Sequence, residues 1–328
     1  MPAPTHHVFG PVPSRRLGRS LGIDLVPHKT CSYDCVYCQL GATTSKTIER
    51  GAYVLLDAVL REVEAKLTAA AAPDYITLSG SGEPTLQVEL DTLIQGIKRI
   101  ADRPVCVLTN GSLLWREDVR TELLGADLVI PSLDAGDAAM FQRVNRPHPQ
   151  LRFEQVVEGL IRFRQHFGGQ IWLELFILSG LTTPPDEIAK IKARIGGLAW
   201  DRIQLNTVAR PPSESWARPA TAGELARAAE MLGEGAEVIA ERPVSPAKPV
   251  AMPEADEILA LLRRRPCTLD DLSSGLGVHR LELAKRVDEL LRAQAIVMRQ
   301  HGRRIYYQPA SGNTAHQRSW KVRDEETA

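Results

Sequence analysis

From residue 20 to about 240 the chain repeats one pattern, a short apolar run followed by an amphipathic stretch. The runs are "LGIDLVP" (21–27), "YITLSG" (75–80), "PVCVLTNG" (104–111), "DLVIPSLDA" (127–135), "IWLELFIL" (171–178) and "RIQLNTV" (202–208). Each is nearly continuous in apolar residues, as strands buried on both faces of a parallel sheet must be. Between them lie helical patterns at 55–70, 89–101, 153–167 and 185–198. Strand–helix alternation with crossovers of this length requires a parallel α/β architecture. Six repeats fit an incomplete, TIM-like (β/α)6 barrel. A doubly wound open sheet remains the alternative, because periodicity does not separate the two.

The pattern stops at "RPVSPAKPVAMP", where prolines 243, 246, 249 and 253 forbid a packed helix and favour an extended linker. Beyond it, 254–265, 268–277 and 278–294 read as helices, the second capped by Thr268 and stopped by glycine. Val278, Leu281, Ala284, Val287 and Leu291 are expected on one apolar face of the third. Residues 295–309 read as a hairpin turned at "HGRR". Three helices and a two-stranded hairpin make a winged helix-turn-helix. The expected organisation is therefore a barrel over 1–241, a linker over 242–253, a winged-helix domain over 254–310 and a disordered tail over 311–328.

The 328 residues are 44% apolar and 24% charged with zero net charge. No global field advertises nucleic acid or an anionic membrane. No apolar run approaches the ~18 residues of a membrane span, and the N-terminus lacks the apolar core of a signal peptide. The expected location is the cytoplasm, where thiols stay reduced.

Three of the five cysteines, Cys31, Cys35 and Cys38, stand in a C-x3-C-x2-C cluster after the first strand. Structural zinc wants four closed ligands, and a fourth is missing here. Cys106 lies in an apolar strand and reads as a small buried residue; Cys267 lies in the other domain. Three thiolates on an iron–sulfur cluster would leave one iron open, and an open metal site is where a cofactor or substrate reacts. The loop sits at the carboxyl end of a strand, the face on which barrel active sites form.

This triad, with Tyr37 before its third cysteine, resembles the radical SAM superfamily. The resemblance implies a [4Fe–4S] cluster on Cys31, Cys35 and Cys38. It also implies S-adenosylmethionine on the open iron, cleaved by one electron to a 5′-deoxyadenosyl radical that takes hydrogen from the substrate. An electron donor such as a flavodoxin or ferredoxin is implied with it. "LSGSGEPTL" (78–86) is similar to the family's glycine-glycine-glutamate segment, with Ser81 between Gly80 and Gly82 as a departure. There Glu83 is expected to meet the methionyl ammonium. Asn110, Ser132, Asp134, Asn206 and Val208 end later strands and are expected near the cofactor, Ser132 and Asp134 at its ribose hydroxyls.

Arg15, Arg16 and Arg19 before the cluster, and Arg143, Arg146 and His148 after the fourth strand, are weighed between a solvated surface and cofactor or substrate contact. "PVPSRRLG", "SGSGEPTL" and "PSLDA" most resemble radical SAM proteins related to wyosine-tRNA biosynthesis, over residues 9–215. A cluster-bearing transcriptional regulator is the competing function. Against duplex DNA stands the third C-terminal helix, where Glu282–Arg286, Asp288–Arg292 and Lys285–Glu289 are spaced to neutralise one another. The positive charge offered to a partner is then expected on the wing, Arg299, Arg303 and Arg304 with His301. The module is expected to dock an RNA or a polypeptide over the barrel mouth. A chain cut before Pro253 is then expected to keep SAM cleavage.

Overall fold

Parallel strands cannot be joined by tight turns, so each must be reached by a crossover, and here the crossovers are largely helical. The computed structural model describes residues 7–69, 72–239, 255–302 and 304–310. The expected linker and tail, and Arg303 of the wing, lie outside the described residues. The chain opens with β1 (Val8–Ser14) and β2 (Gly18–Asp24), then a two-residue bridge between β3 (Thr30–Cys31) and β4 (Ser45–Lys46). There follow α1 (Leu56–Ala69), β5 (Tyr75–Ser79), α2 (Leu90–Ile100), β6 (Val105–Thr109), α3 (Glu117–Glu122), β7 (Leu128–Pro131) and α4 (Ala138–Val144). Next come α5 (Phe153–His166), β8 (Gln170–Phe176), α6 (Pro185–Ile195), β9 (Arg202–Asn206), α7 (Ala222–Leu232) and β10 (Ala236–Val238). The C-terminal elements are α8 (Ala255–Arg264), α9 (Leu269–Leu276), α10 (Arg280–Arg292), β11 (Ile296–His301) and β12 (Arg304–Pro309).

One sheet takes the order β1-β2-β5-β6-β7-β8-β9-β10. From β2 onward every pair is parallel, in chain order and without reversal. A doubly wound sheet reverses its order at a switch point; this one does not, which is consistent with a partial barrel. All six expected strands are present, with two corrections. The first lies at Gly18–Asp24 rather than 21–27, and β10 adds a seventh parallel strand. β1 went unread because "VFGPVPS" carries two prolines; it pairs antiparallel to β2 at the sheet edge, where missing N–H groups are tolerated.

Alternation along the strands sorts residues to two faces. Val105, Val107, Val129 and Ile171 join the main core under the helices. Cys106, Leu128, Ile130 and Trp172 pack with Leu17 in a second cluster.

The C-terminal elements build a separate core of Ile258, Leu261, Leu262, Leu272, Leu283, Val287, Leu290 and Ile296, which also takes in Val12 of β1. Thr268 caps α9 through a capping box and Gly277 ends it in the left-handed region, as read. The hairpin turns between His301 and Arg304. The stripe expected on α10 is corrected: Leu283, Val287 and Leu290 are buried, whereas Leu281 is 67% exposed. The face is rotated because the helix packs with its i, i+4, i+7 row inward. Asp288 pairs with Arg292 as expected, but Arg286 turns to Glu289 at 2.7 Å instead of Glu282.

Arg50, ahead of α1, locks the loops beneath α3. Its guanidinium meets Asp118 at 2.9 Å and Glu122 at 2.5 Å and donates to the carbonyls of Thr85 and Gln87, both at 2.9 Å. The side chain is only 5% exposed. Arg50→Ala takes the counter-charge from Glu122, which keeps only the Leu90 N–H at 3.1 Å, and removes a donor from two carbonyls, so we expect a loss of about 2–3 kcal/mol. Denaturant unfolding measures it, and an unchanged midpoint would disprove the lock.

Candidate functional site

Parallel strands all end on the same side, and the chemistry-bearing residues collect there. A cavity of about 970 Å³ opens over those ends and is lined by Cys31, Cys35, Cys38, Tyr37, Gly80, Gly82, Ser132, Asn206 and Val208. A smaller cavity, of about 700 Å³ against α5, holds none of them.

The cysteine loop and the glycine loop are zipped together. Lys29 N–H donates to the Ser81 carbonyl at 2.7 Å, and Glu83 N–H to the Thr30 carbonyl at 3.1 Å. Gly82 permits this approach, since a Cβ there would lie 1.9 Å from the Thr30 oxygen. Gly80 has φ +125° and a Cβ would fall 2.0 Å from Asp24 Oδ1, so both conformation and space require glycine.

Glu83 is expected to face an ammonium, and the structure turns it inward. It is buried and does not line the cavity. Oε1 accepts from Thr85 N–H at 3.0 Å and from the Thr85 and Thr109 hydroxyls, both at 2.6 Å; Oε2 accepts from Asn110 N–H at 2.7 Å. Burial raises its pKa above the usual carboxylate range, against the pull of those donors. The carboxylate joins the loops after β5 and β6.

Each sulfur of the triad has an N–H donor. Asn110 Nδ2 lies 3.5 Å from Cys31 Sγ, Asn145 Nδ2 3.5 Å from Cys35 Sγ, and Lys29 Nζ 3.4 Å from Cys38 Sγ. Lys29 is a buried ammonium on a left-handed backbone (φ 63°), and it also donates to the Gly41 carbonyl. A strained, buried cation pointed at a sulfur is the type of arrangement that functional sites retain. Burial pushes the Cys31 thiol up to about 12 and Cys35 well above its ordinary value. These sulfurs must shed protons to bind metal, and the three donors favour the thiolate form. Sequence reasoning missed Lys29 and Asn145, although Lys29 stands two residues before Cys31.

Tyr37 stacks on Phe176 at 3.7 Å between centroids and 8° between planes, and its hydroxyl donates to Asp134. Asp134 also accepts from Asn145 Nδ2 at 2.7 Å and Phe176 N–H at 2.9 Å. Burial lifts its pKa to about 6. It is thus engaged within the protein rather than presented to the cavity. Asn206 donates to Glu174 at 2.8 Å and accepts from Arg15 at 3.1 Å.

The arginines separate. Arg15 and Arg16 line the cavity, with Arg16 paired to Glu174. Arg146 is held by Glu214 at 2.6 Å, and Arg143 is exposed.

Among the described residues no group of three or more His, Cys, Asp or Glu is placed to hold a single metal ion. A multi-iron cluster spreads its thiolates over several metals, and the donor-backed triad fits it. No helix among the described residues is long and apolar enough to cross a membrane.

A model of the radical SAM superfamily matches residues 25–195. The chain is 39% identical over 88% of its length to a protein named GTPase Obg from Brachyspira hyodysenteriae, of which it spans 42%. A UPF0026 protein from Helicobacter pylori is 33% identical over 92% of this chain and 96% of its own length. A radical SAM methyltransferase from Sphaerobacter thermophilus aligns over 67% of this chain and 66% of its own, at 16% identity and TM-score 0.46.

Glu83→Gln puts an amide N–H against the donors that now meet a carboxylate. We expect the cofactor-free protein to lose about 1–3 kcal/mol, seen as a lower unfolding temperature. An unaltered temperature would show that Glu83 does not hold the loops.

Proposed function

Because the chain belongs to the radical SAM superfamily and shares the UPF0026 family with its Helicobacter pylori relative, we propose that Cys31, Cys35 and Cys38 hold a [4Fe–4S] cluster whose fourth iron is left for S-adenosylmethionine. The observation that carries this reading is the set of three N–H donors on three clustered sulfurs beside an open cavity. When bound, the pair supplies a 5′-deoxyadenosyl radical by one-electron cleavage, with the electron delivered by a donor such as flavodoxin or ferredoxin.

The chain's own residues prepare that chemistry. Gly80 and Gly82 leave backbone bare at the cavity wall, where a ligand's polar groups can reach it. Ser132, Asn206 and Val208 offer hydroxyl, amide and apolar contacts to a nucleoside. Lys29 opposes the negative charge that reduction adds, which stabilises the reduced form.

The substrate reading rests on the cavity's far half, which runs under the C-terminal elements. Arg265, Arg280 and Arg304 line it there, and Arg15, Arg16 and Lys29 line the sheet side. Its carboxylates, Glu174, Asp270 and Asp271, each pair with an arginine. Cations therefore exceed carboxylates in the lining, and such a cavity favours a polyanion. We read the three helices and hairpin as a winged helix-turn-helix that brings RNA to the mouth. This is in line with the resemblance to wyosine-tRNA proteins read in the sequence, and we favour it over a polypeptide substrate or a DNA-reading regulator.

Anaerobically reconstituted protein with dithionite and SAM should release 5′-deoxyadenosine; a fully loaded protein that releases none would overturn the reading. Cys31→Ala, Cys35→Ala or Cys38→Ala should abolish bound iron, while Cys106→Ala and Cys267→Ala, whose thiols are buried in the two cores, should retain it. Lys29→Met should keep the iron but lower the midpoint potential by on the order of tens of millivolts, measured by redox titration. Binding of a bulk tRNA pool should weaken steeply with salt. A salt-independent affinity, or preference for a polypeptide, would overturn the RNA assignment.

A further inference from the structure

Ser81, the residue that departs from the family's glycine pair, is not a spacer. Its N–H donates to Asp24 Oδ1 at 2.5 Å and its hydroxyl to Asp24 Oδ2 at 2.8 Å. Asp24 ends β2, and its Oδ2 also accepts from Arg264 Nε at 3.0 Å. Arg264 is the last residue of α8, so this bond crosses from the C-terminal elements to the glycine loop. Both side chains are 12% exposed. The guanidinium is aimed by two further contacts: Nη1 donates to the Ala260 carbonyl at 2.8 Å, and the group lies 4.4 Å over the Phe9 ring. Gly80 packs against the same carboxylate, so nothing larger fits between the aspartate and the loop.

A buried carboxylate that accepts three charge-assisted or hydroxyl donations is held firmly only while all three remain. If Arg264 is removed, Asp24 keeps its desolvation cost but loses its counter-charge. The aspartate would then move toward water and draw on Ser81, whose N–H and hydroxyl are its other partners. Ser81 in turn carries the carbonyl that Lys29 N–H reaches, so the disturbance arrives at both loops of the cofactor pocket.

We propose that Arg264 is a positioning residue for the cofactor loop, acting through Asp24 and Ser81, so that the C-terminal module completes the SAM pocket as well as roofing the substrate cavity. This rests on the radical SAM reading for the identity of the ligand. It also departs from the expectation that a chain cut before Pro253 keeps its SAM chemistry.

The test uses full-length protein with Arg264→Met, which keeps an unbranched stem over Phe9. Amide hydrogen exchange in the cofactor-free protein should quicken in peptides covering 78–86. In the reconstituted protein, iron content should be unchanged and SAM affinity by calorimetry about tenfold weaker, with Arg264→Lys restoring part of it. Glu257→Gln is the control: it removes the ion pair to Lys66 at 3.8 Å, another link between the two parts and outside the cavity, and should change neither readout. Asp24→Asn should reproduce the quickened exchange if Arg264→Met does not fold. Unchanged exchange at 78–86 in the folded variant, or the same loss in Glu257→Gln, would overturn the proposal. If the unmodified protein binds no SAM, the radical SAM reading fails while the exchange data still decide the connection.

Discussion

The buried carboxylate of Glu83 is the interaction on which the site depends. It gathers Thr85, Thr109 and Asn110, while its own N–H holds the Thr30 carbonyl. The loops that follow β5 and β6 are thereby fixed to each other and to the start of β3. Cys31 follows Thr30 directly, and Asn110 is the residue that donates to its sulfur. A carboxylate so enclosed is costly to desolvate, and only the full set of donors offsets that cost. The geometry around the first cysteine is therefore all-or-none.

The electrostatics of the triad follow from the same enclosure. Burial favours neutral thiols at Cys31 and Cys35, yet the neighbours are donors that suit thiolates. A metal bound in the protons' place would resolve the conflict. Lys29 contributes the one full positive charge in contact with a triad sulfur among the described residues. The arginines between β1 and β2 serve differently: Arg16 is neutralised by Glu174, and Arg15 joins Asn206.

The C-terminal elements are attached where they matter for the site. Their core includes Val12 of the edge strand, and ion pairs reach Asp24 and Arg210 near the cavity. The hairpin's Tyr306 closes onto Ala209, just past β9. A module tied to the edge strand β1 and to the segment just past β9 reaches the mouth from two sides. This is why one cavity is lined from both parts of the chain.

Much of this was legible in the sequence because it is local. Six parallel strands, the four amphipathic helices between them, the cap at Thr268 and the turn at Gly302 each follow from periodicity or from a residue's own backbone preference. The cysteine spacing and the glycine loop were equally readable, since each lies within a dozen residues. The edge strand was hidden by its prolines, and the inward row of α10 by the fact that Leu281 and Leu283 both fit an apolar stripe. What only the tertiary structure decided is which polar groups meet. Asn145 reaches Cys35 across 110 residues, and Arg264 reaches Asp24 across 240. Glu83 is expected from sequence to meet an ammonium, because two of the groups that occupy it, Thr109 and Asn110, arrive from a different strand. Periodicity tells a side chain which face it takes. Hydrogen-bond partners are set by strand order and by how closely two loops approach, and that information exists only once the sheet is assembled.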